Sequence, residues 1–166
     1  LLKYNDADFH VVYQDEQLGD GHAILQAADW VNSDHVAVLF GDDLFHGEHS
    51  GIQQLMDAHE KLAADEKGAV LALENIDRAD TEKYGIADVE GGHISLEKLN
   101  SVKGLVEKPH PDAAPSTLGI VGRYIVPKST IDLLPSVGSS HGGEIRLIDA
   151  LIEQLGSVPI HGLECS

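Results

Sequence analysis

Three short stretches carry residues suited to phosphate or sugar chemistry. "GLVEKP" (104–109) ends an apolar run in a carboxylate and an ammonium side by side, Glu107 and Lys108, and Pro109 closes it. Lys108 can neutralise a phosphate as a point charge, and Glu107 can accept hydrogen bonds from sugar hydroxyls. An exposed ion pair, which contributes little, has the same sequence. "FGDD" (40–43) places Asp42 and Asp43 directly after an apolar run. Carboxylates there can hold Mg²⁺, a hard ion that takes one or two carboxylates together with phosphate oxygens and water. The alternative is a strand-end aspartate that caps the next turn. "QDEQLGDGHA" (14–23) sets Gly19 and Gly21 ahead of a helical pattern. Glycine lets a flat base or a phosphate approach the backbone, and a helix start offers N–H groups. A plain strand-to-helix turn reads the same way, and neither G-x-G-x-x-G nor a Walker lysine is present. "HGEH" (46–49) offers two histidines without a third ligand, so it reads as a solvated loop. No Ser-His-Asp spacing occurs, and Cys165 at the chain end is not expected to be catalytic.

These residues need elements to hold them. "FHVVY" (9–13) reads as a strand. Ile24, Ala27, Ala28 and Val31 recur as one helical face. "HVAVLFGDD" (35–43) reads as a strand buried on both faces, and residues 50–68 as a helix with Ile52, Leu55, Met56, His59 and Ala63 on one side and Gly68 as its stop. "AVLALEN" (69–75) is a further buried strand, and Gly91-Gly92 signals a hairpin between two alternating segments of residues 84–99. Strands follow at 102–109 and 118–126, with a Pro-rich loop between them. A helix opens after Pro127, a second carries Ile145, Ile148, Ile152 and Leu155 on one face, and "VPIHGLE" (158–164) closes as a strand. Strands alternating with helices predict an α/β domain with a mixed, mostly parallel sheet. Ligands of such sheets bind beyond the carboxyl ends of the strands, which selects Gln14, Asp42, Glu107 and Gly122.

Composition narrows the function classes. The chain has 166 residues, the length of one domain, and 42% hydrophobic content, enough for a core. Eleven Lys+Arg against 28 Asp+Glu give a net charge of −17. That argues against nucleic-acid or anionic-membrane surfaces, which need a basic face. A small phosphorylated ligand held by local cations and a metal stays open. One cysteine, no long apolar run and no signal-peptide pattern favour the cytoplasm. The chain opens without methionine, so part of a longer protein is one expectation.

Taken in order, "QDEQLGDGHAIL", "VAVLFGDDLF", "YGIADV", "VKGLVEKPHPDAAPSTLGIVGRYIV" and "GGEIRLIDAL" resemble bacterial UTP–glucose-1-phosphate uridylyltransferases of the sugar-nucleotidyltransferase superfamily. The resemblance runs from Tyr13 onward, and residues 102–126 are its most specific part. It implies a Rossmann-like nucleotidyltransferase fold with an inserted β-hairpin, as one partial domain over residues 1–166. It also implies that glucose 1-phosphate attacks the α-phosphorus of UTP, giving UDP-glucose and pyrophosphate with Mg²⁺. Residue by residue, Gln14 and Gly19 match contacts to uracil, Asp42 matches the Mg²⁺ ligand, and Asp43 lies near the nucleotide. Gly85 and Ile120 match backbone contacts to the sugar, Glu107 the acid on its hydroxyls, and Lys108 the base on its phosphate.

The departures set further expectations. The family opens with a Gly-rich loop carrying an arginine and, further on, a lysine, and a second metal-binding aspartate follows in a D-x-G element; neither is found in this sequence. "PSTLG" stands for the usual "PSNLA", and "GEIRLIDA" for "GEIQLTDA", so that Ile148 removes a hydroxyl near the sugar while Asp149 is retained. Losing one donor to the developing charge typically costs ~10²–10³ in rate. Uncovered sheet edges would favour pairing with another copy. Two rivals follow: a sugar-phosphate-binding or oligomerising module without catalysis, and a sister thymidylyl- or guanylyltransferase. "GLVEKP" and "IVGRY" lean towards the uridylyl branch.

Overall fold

A computed structural model describes residues 7–94, 98–137 and 143–165. Strand β2 (Ala69–Asn75) organises it. Its side chains alternate between faces, as pleating requires. Ala69, Leu71 and Leu73 enter one apolar cluster, and Val70 and Ala72 enter another on the opposite face. The other strands are β1 (His35–Leu39), β3 (Gly85–Val89), β4 (Asn100–Glu107), β5 (Leu118–Pro127) and β6 (Ile160–Glu164). They form one six-stranded sheet in the order β1-β5-β2-β6-β4-β3, and β3 also touches β5. Four α-helices occur among the described residues: α1 (Asp20–Leu25), α2 (Gly51–Glu60), α3 (Lys128–Leu133) and α4 (Leu147–Gln154). Leu55 of α2 packs with Val70, Ala72, Val121, Ile125 and Leu163 on one face. Ile131, Leu147, Ala150 and Leu151 from α3 and α4 join the cluster on the other. No helix among the described residues is long and apolar enough to cross a membrane.

The α/β class and the mixed sheet agree with expectation, but parallel pairing is the minority. Only β2 with β6 runs parallel among the described strand pairs. The hairpin of β3 and β4, and the insertion of β5 between β1 and β2, reverse the direction. Gly91 and Gly92 turn that hairpin with φ of 79° and 73°, a region L side chains rarely adopt. Its returning arm is β4; part of the segment expected to return, residues 95–97, lies outside the described residues.

Four expectations are corrected. Residues 9–13 form no strand, and Phe9, Val11 and Tyr13 are exposed. β-Propensity without a ladder partner does not make a strand. Among the described residues β1 is an edge strand paired with β5 alone, and Leu39 is 50% exposed, so it is not buried on both faces. α2 ends at Glu60, well before Gly68, and leaves Met56 exposed; Gly68 instead sits where a Cβ would strike the Pro159 carbonyl beside β2. α4 starts at Leu147, leaving Ile145 and Leu155 as flanks. Its buried side is therefore Leu147, Ile148, Ala150, Leu151 and Gln154, with Ile152 turned towards solvent.

Thr130 donates to Gln154 Oε1 at 2.6 Å in the interior, joining α3 to α4. Leu151 is fully buried against this pair of helices. Leu151→Ala is expected to cost about 2–5 kcal/mol, read by equilibrium denaturation.

Candidate functional site

The register of β3 and β4 builds the centre of the site. Gly85 pairs directly with Glu107. A side chain at Gly85 would press on Ile148 Cδ1 at 2.5 Å and on Glu107 Oε2 at 3.2 Å. The absence of one leaves room for the Glu107 carboxylate. Lys108 follows with φ of 44°, the one left-handed non-glycine residue among those described. Two hydrogen bonds hold this strained step. The Lys108 N–H donates to the Tyr84 carbonyl at 3.0 Å, and the buried Thr81 hydroxyl donates to the Pro109 carbonyl at 3.0 Å. Strain held in this way is common at ligand sites.

A second arm carries the aspartates. The Phe40 N–H donates to the Gly122 carbonyl at 2.9 Å. Arg123 donates to the Phe40 carbonyl at 2.7 Å and to the Asp43 carbonyl at 2.6 Å, and its guanidinium stands 5.2 Å from the centre of the Phe45 ring. Gly122 has φ of 34°, and any Cβ there would overlap the Asp43 carboxylate. The loop after β1 is thus latched to β5, which fixes Asp42 and Asp43.

The two arms enclose a cleft of about 360 Å³. It gathers Asp42, Asp43, Gly85, Glu107, Lys108 and Ile120, all expected, together with Asp20, Tyr84, Tyr124 and Ile148. Gln14 and Gly19 are joined to each other instead. The Gln14 amide donates to the Gly19 carbonyl at 3.0 Å and lies 3.0 Å from His22 Nδ1, and neither residue lines the cleft. "HGEH" supplies no metal cluster, and no group of three or more His, Cys, Asp or Glu suited to a metal forms among the described residues. Asp42 and Asp43 are the adjacent pair of carboxylates in this cleft, which Asp20 and Glu107 also line. Two adjacent hard carboxylates fit Mg²⁺ when ligand phosphates and water complete the shell.

Sequence reasoning missed Asp20 and Arg146. Residues 18–21 dock on residues 145–147: the Ile145 N–H donates to Leu18 O at 2.8 Å, and the Gly21 N–H to Ile145 O at 2.9 Å. Asp20 Oδ1 accepts the Leu147 N–H at 2.7 Å, capping α4 from a distant part of the chain. The local signals were an aspartate behind a glycine at a helix start and the arginine of "GEIRLIDA" where the family pattern has glutamine.

Burial dominates the electrostatics. It pushes the Asp20 carboxyl above the usual range, against the lowering effects of the Leu147 and Gly21 N–H groups and Arg146. Burial also raises Asp43, with the Asp42 charge adding to it and Arg123 opposing. Glu107 is raised by burial as well, although Lys108 and Arg146 both pull it down. For Asp20 the native state then holds its proton to higher pH than the unfolded chain does. Its contribution to stability is full below the unfolded value and is lost as pH rises through the folded value. Asp20→Asn keeps an acceptor for Leu147 without the buried charge. The variant is expected to unfold at higher temperature than the parent at pH 7, with the gain vanishing in acid, as a pH series of melting curves would show.

Comparison with known proteins follows the same residues. The family model described as nucleotidyl transferase matches residues 3–156. A UTP–glucose-1-phosphate uridylyltransferase of Bacillus subtilis (strain 168) is 37% identical over 155 residues, covering 93% of this chain and 50% of the relative. One of Komagataeibacter xylinus is 39% identical over 146 residues, covering 87% and 48%. A solved UDP-glucose pyrophosphorylase complexed with UDP-glucose superposes with a TM-score of 0.82 at 28% identity, over 94% of this chain and 57% of that one. The UTP-bound enzyme from Acinetobacter baumannii gives a TM-score of 0.76 at 28% identity, over 91% and 50%. The chain spans about half the length of the curated relatives it matches.

Proposed function

The chain belongs to the nucleotidyl transferase family, and from that premise we propose that its cleft is the sugar-phosphate side of a UTP–glucose-1-phosphate uridylyltransferase. The observation that supports this most is the convergence of Glu107–Lys108, Gly85, Ile120 and Asp42–Asp43 on one cleft from four separate segments. In the reaction, a phosphate oxygen of glucose 1-phosphate attacks the α-phosphorus of UTP. The bond from that phosphorus to the bridging oxygen breaks, and pyrophosphate leaves with the electron pair. Lys108 neutralises the sugar phosphate, and Glu107 accepts hydrogen bonds from the glucose hydroxyls. The backbone at Gly85 and Ile120 borders the sugar. Gln14 and Gly19 serve the uracil end, outside the cleft itself. Mg²⁺, when bound at Asp42 with Asp43 beside it, supplies charge neutralisation at the phosphates. Catalysis of this type rests on positioning and electrostatics more than on covalent help from the protein.

The proposal extends to one nucleotidyltransferase domain acting in the cytoplasm as a homo-oligomer. The exposed Phe9, Val11 and Tyr13 and the edge strand β1 support self-association, which sedimentation velocity would read directly.

The test is pyrophosphate release from UTP, glucose 1-phosphate and Mg²⁺, with dTTP and GTP in parallel. The expected result is release that depends on UTP, exceeds that with the other nucleotides, and disappears in Asp42→Ala. The second reading is a binding module without turnover. That reading gains if UDP-glucose binds and no pyrophosphate appears. Absence of both release and binding contradicts both readings.

A further inference from the structure

The sequence assigns Arg146 no role, although it stands in "GEIRLIDA" where the family pattern has glutamine, and it adjoins Glu107. Its Nη1 stands 3.6 Å from Glu107 Oε1, while Lys108 Nζ approaches the same oxygen from its own strand at 3.7 Å. The two cations differ in setting. The Lys108 side chain is 53% exposed and that of Arg146 is 14%. Water screens the first pair far more than the second. Arg146 is also held in place. Its Nε and Nη2 donate to Glu144 Oε2 at 3.0 and 2.7 Å. The main chain on either side is tied down by Gly21 N–H to Ile145 O and by Leu147 N–H to Asp20. A planar guanidinium fixed in this way loses little freedom when it faces a carboxylate.

We infer that Arg146 is a positioning residue that keeps Glu107 ionised and directed into the cleft for sugar hydroxyls, leaving Lys108 to a ligand phosphate. The inference rests on the sugar-phosphate reading of the cleft. Its physical basis is a competition. Once a phosphate engages Lys108, Glu107 loses part of its compensation. Burial then favours the protonated carboxyl, as do the Asp20 and Asp149 charges that face it from α1 and α4. Arg146 is the cation on the opposing side of that balance. A protonated Glu107 would lose acceptor capacity towards hydroxyls.

The experiment combines a ligand-free readout with a binding readout. The Glu107 side-chain carboxyl is titrated by ¹³C NMR in the parent chain, Arg146→Gln and Arg146→Lys, and UDP-glucose affinity is measured at pH 5 and pH 8. The expected result is a higher Glu107 midpoint in Arg146→Gln. Its affinity loss should be roughly tenfold greater at pH 5 than at pH 8. Arg146→Lys should recover most of both changes. An unchanged Glu107 midpoint in Arg146→Gln overturns the inference. So does an affinity loss of equal size at both pH values, the mark of a merely structural role. If the midpoint moves but the parent chain does not bind UDP-glucose, the sugar-phosphate reading fails while the control of Glu107 by Arg146 is upheld.

Discussion

Lys108→Ala is expected to weaken UDP-glucose binding by roughly 10–100-fold, the worth of one charge-assisted hydrogen bond to a phosphate. The same change should barely move the melting temperature. The side chain is half exposed, and its ion pair with Glu107 is 3.7 Å long. Alanine retains a Cβ, so the strained backbone at φ of 44° is common to both proteins and the comparison isolates the ammonium. Calorimetric titration of the parent and the variant, alongside their melting curves, separates the two effects. A stability loss that accounts for the affinity loss would count against Lys108 as the phosphate contact.

Gly122→Ala is expected to be the more damaging change to the molecule itself. The position combines left-handed backbone with a direct approach to the Asp43 carboxylate. A methyl group cannot be added without moving the loop that Arg123 holds to β5. Overpacking of this kind costs about 1–3 kcal/mol. Because the loop carries Asp42 and Asp43, the Mg²⁺ dependence of ligand binding should be lost together with that stability. Gly41→Ala, in the same loop but with open space around it, should stay within about 0.5 kcal/mol of the parent. Denaturation midpoints for the two variants give the contrast.

The parts of the fold that were legible in sequence are those whose pattern is local. "AVLALEN" has the length, apolar content and polar end of a central strand, and β2 occupies those residues. Glu107 and Lys108 could be named because a strand end is a short-range feature, whereas Gly85 came only from the family resemblance, since its place opposite Glu107 is a pairing between separate strands. The limits of β1 and α4 were harder to read. An apolar run cannot tell whether a neighbour will lie on each side of it, so Leu39, expected to be buried, is half exposed. Ile145 and Leu155 continued a helical period beyond the helix. Asp20 and Arg146 enter the site through the docking of residues 18–21 on residues 145–147, a contact between distant segments that no window of sequence contains. The left-handed turn at Lys108 was equally invisible, because nothing but Pro109 marks it.

The most direct test of the cleft as a sugar-phosphate site is an amide-resolved ¹H–¹⁵N NMR titration of this chain with UDP-glucose and Mg²⁺. The expected result is saturable shifts concentrated at Gly85, Glu107, Lys108 and Gly122, with α2 (Gly51–Glu60) unaffected. Shifts confined to α2 and the edge of β1, or no shifts at millimolar ligand, would contradict it.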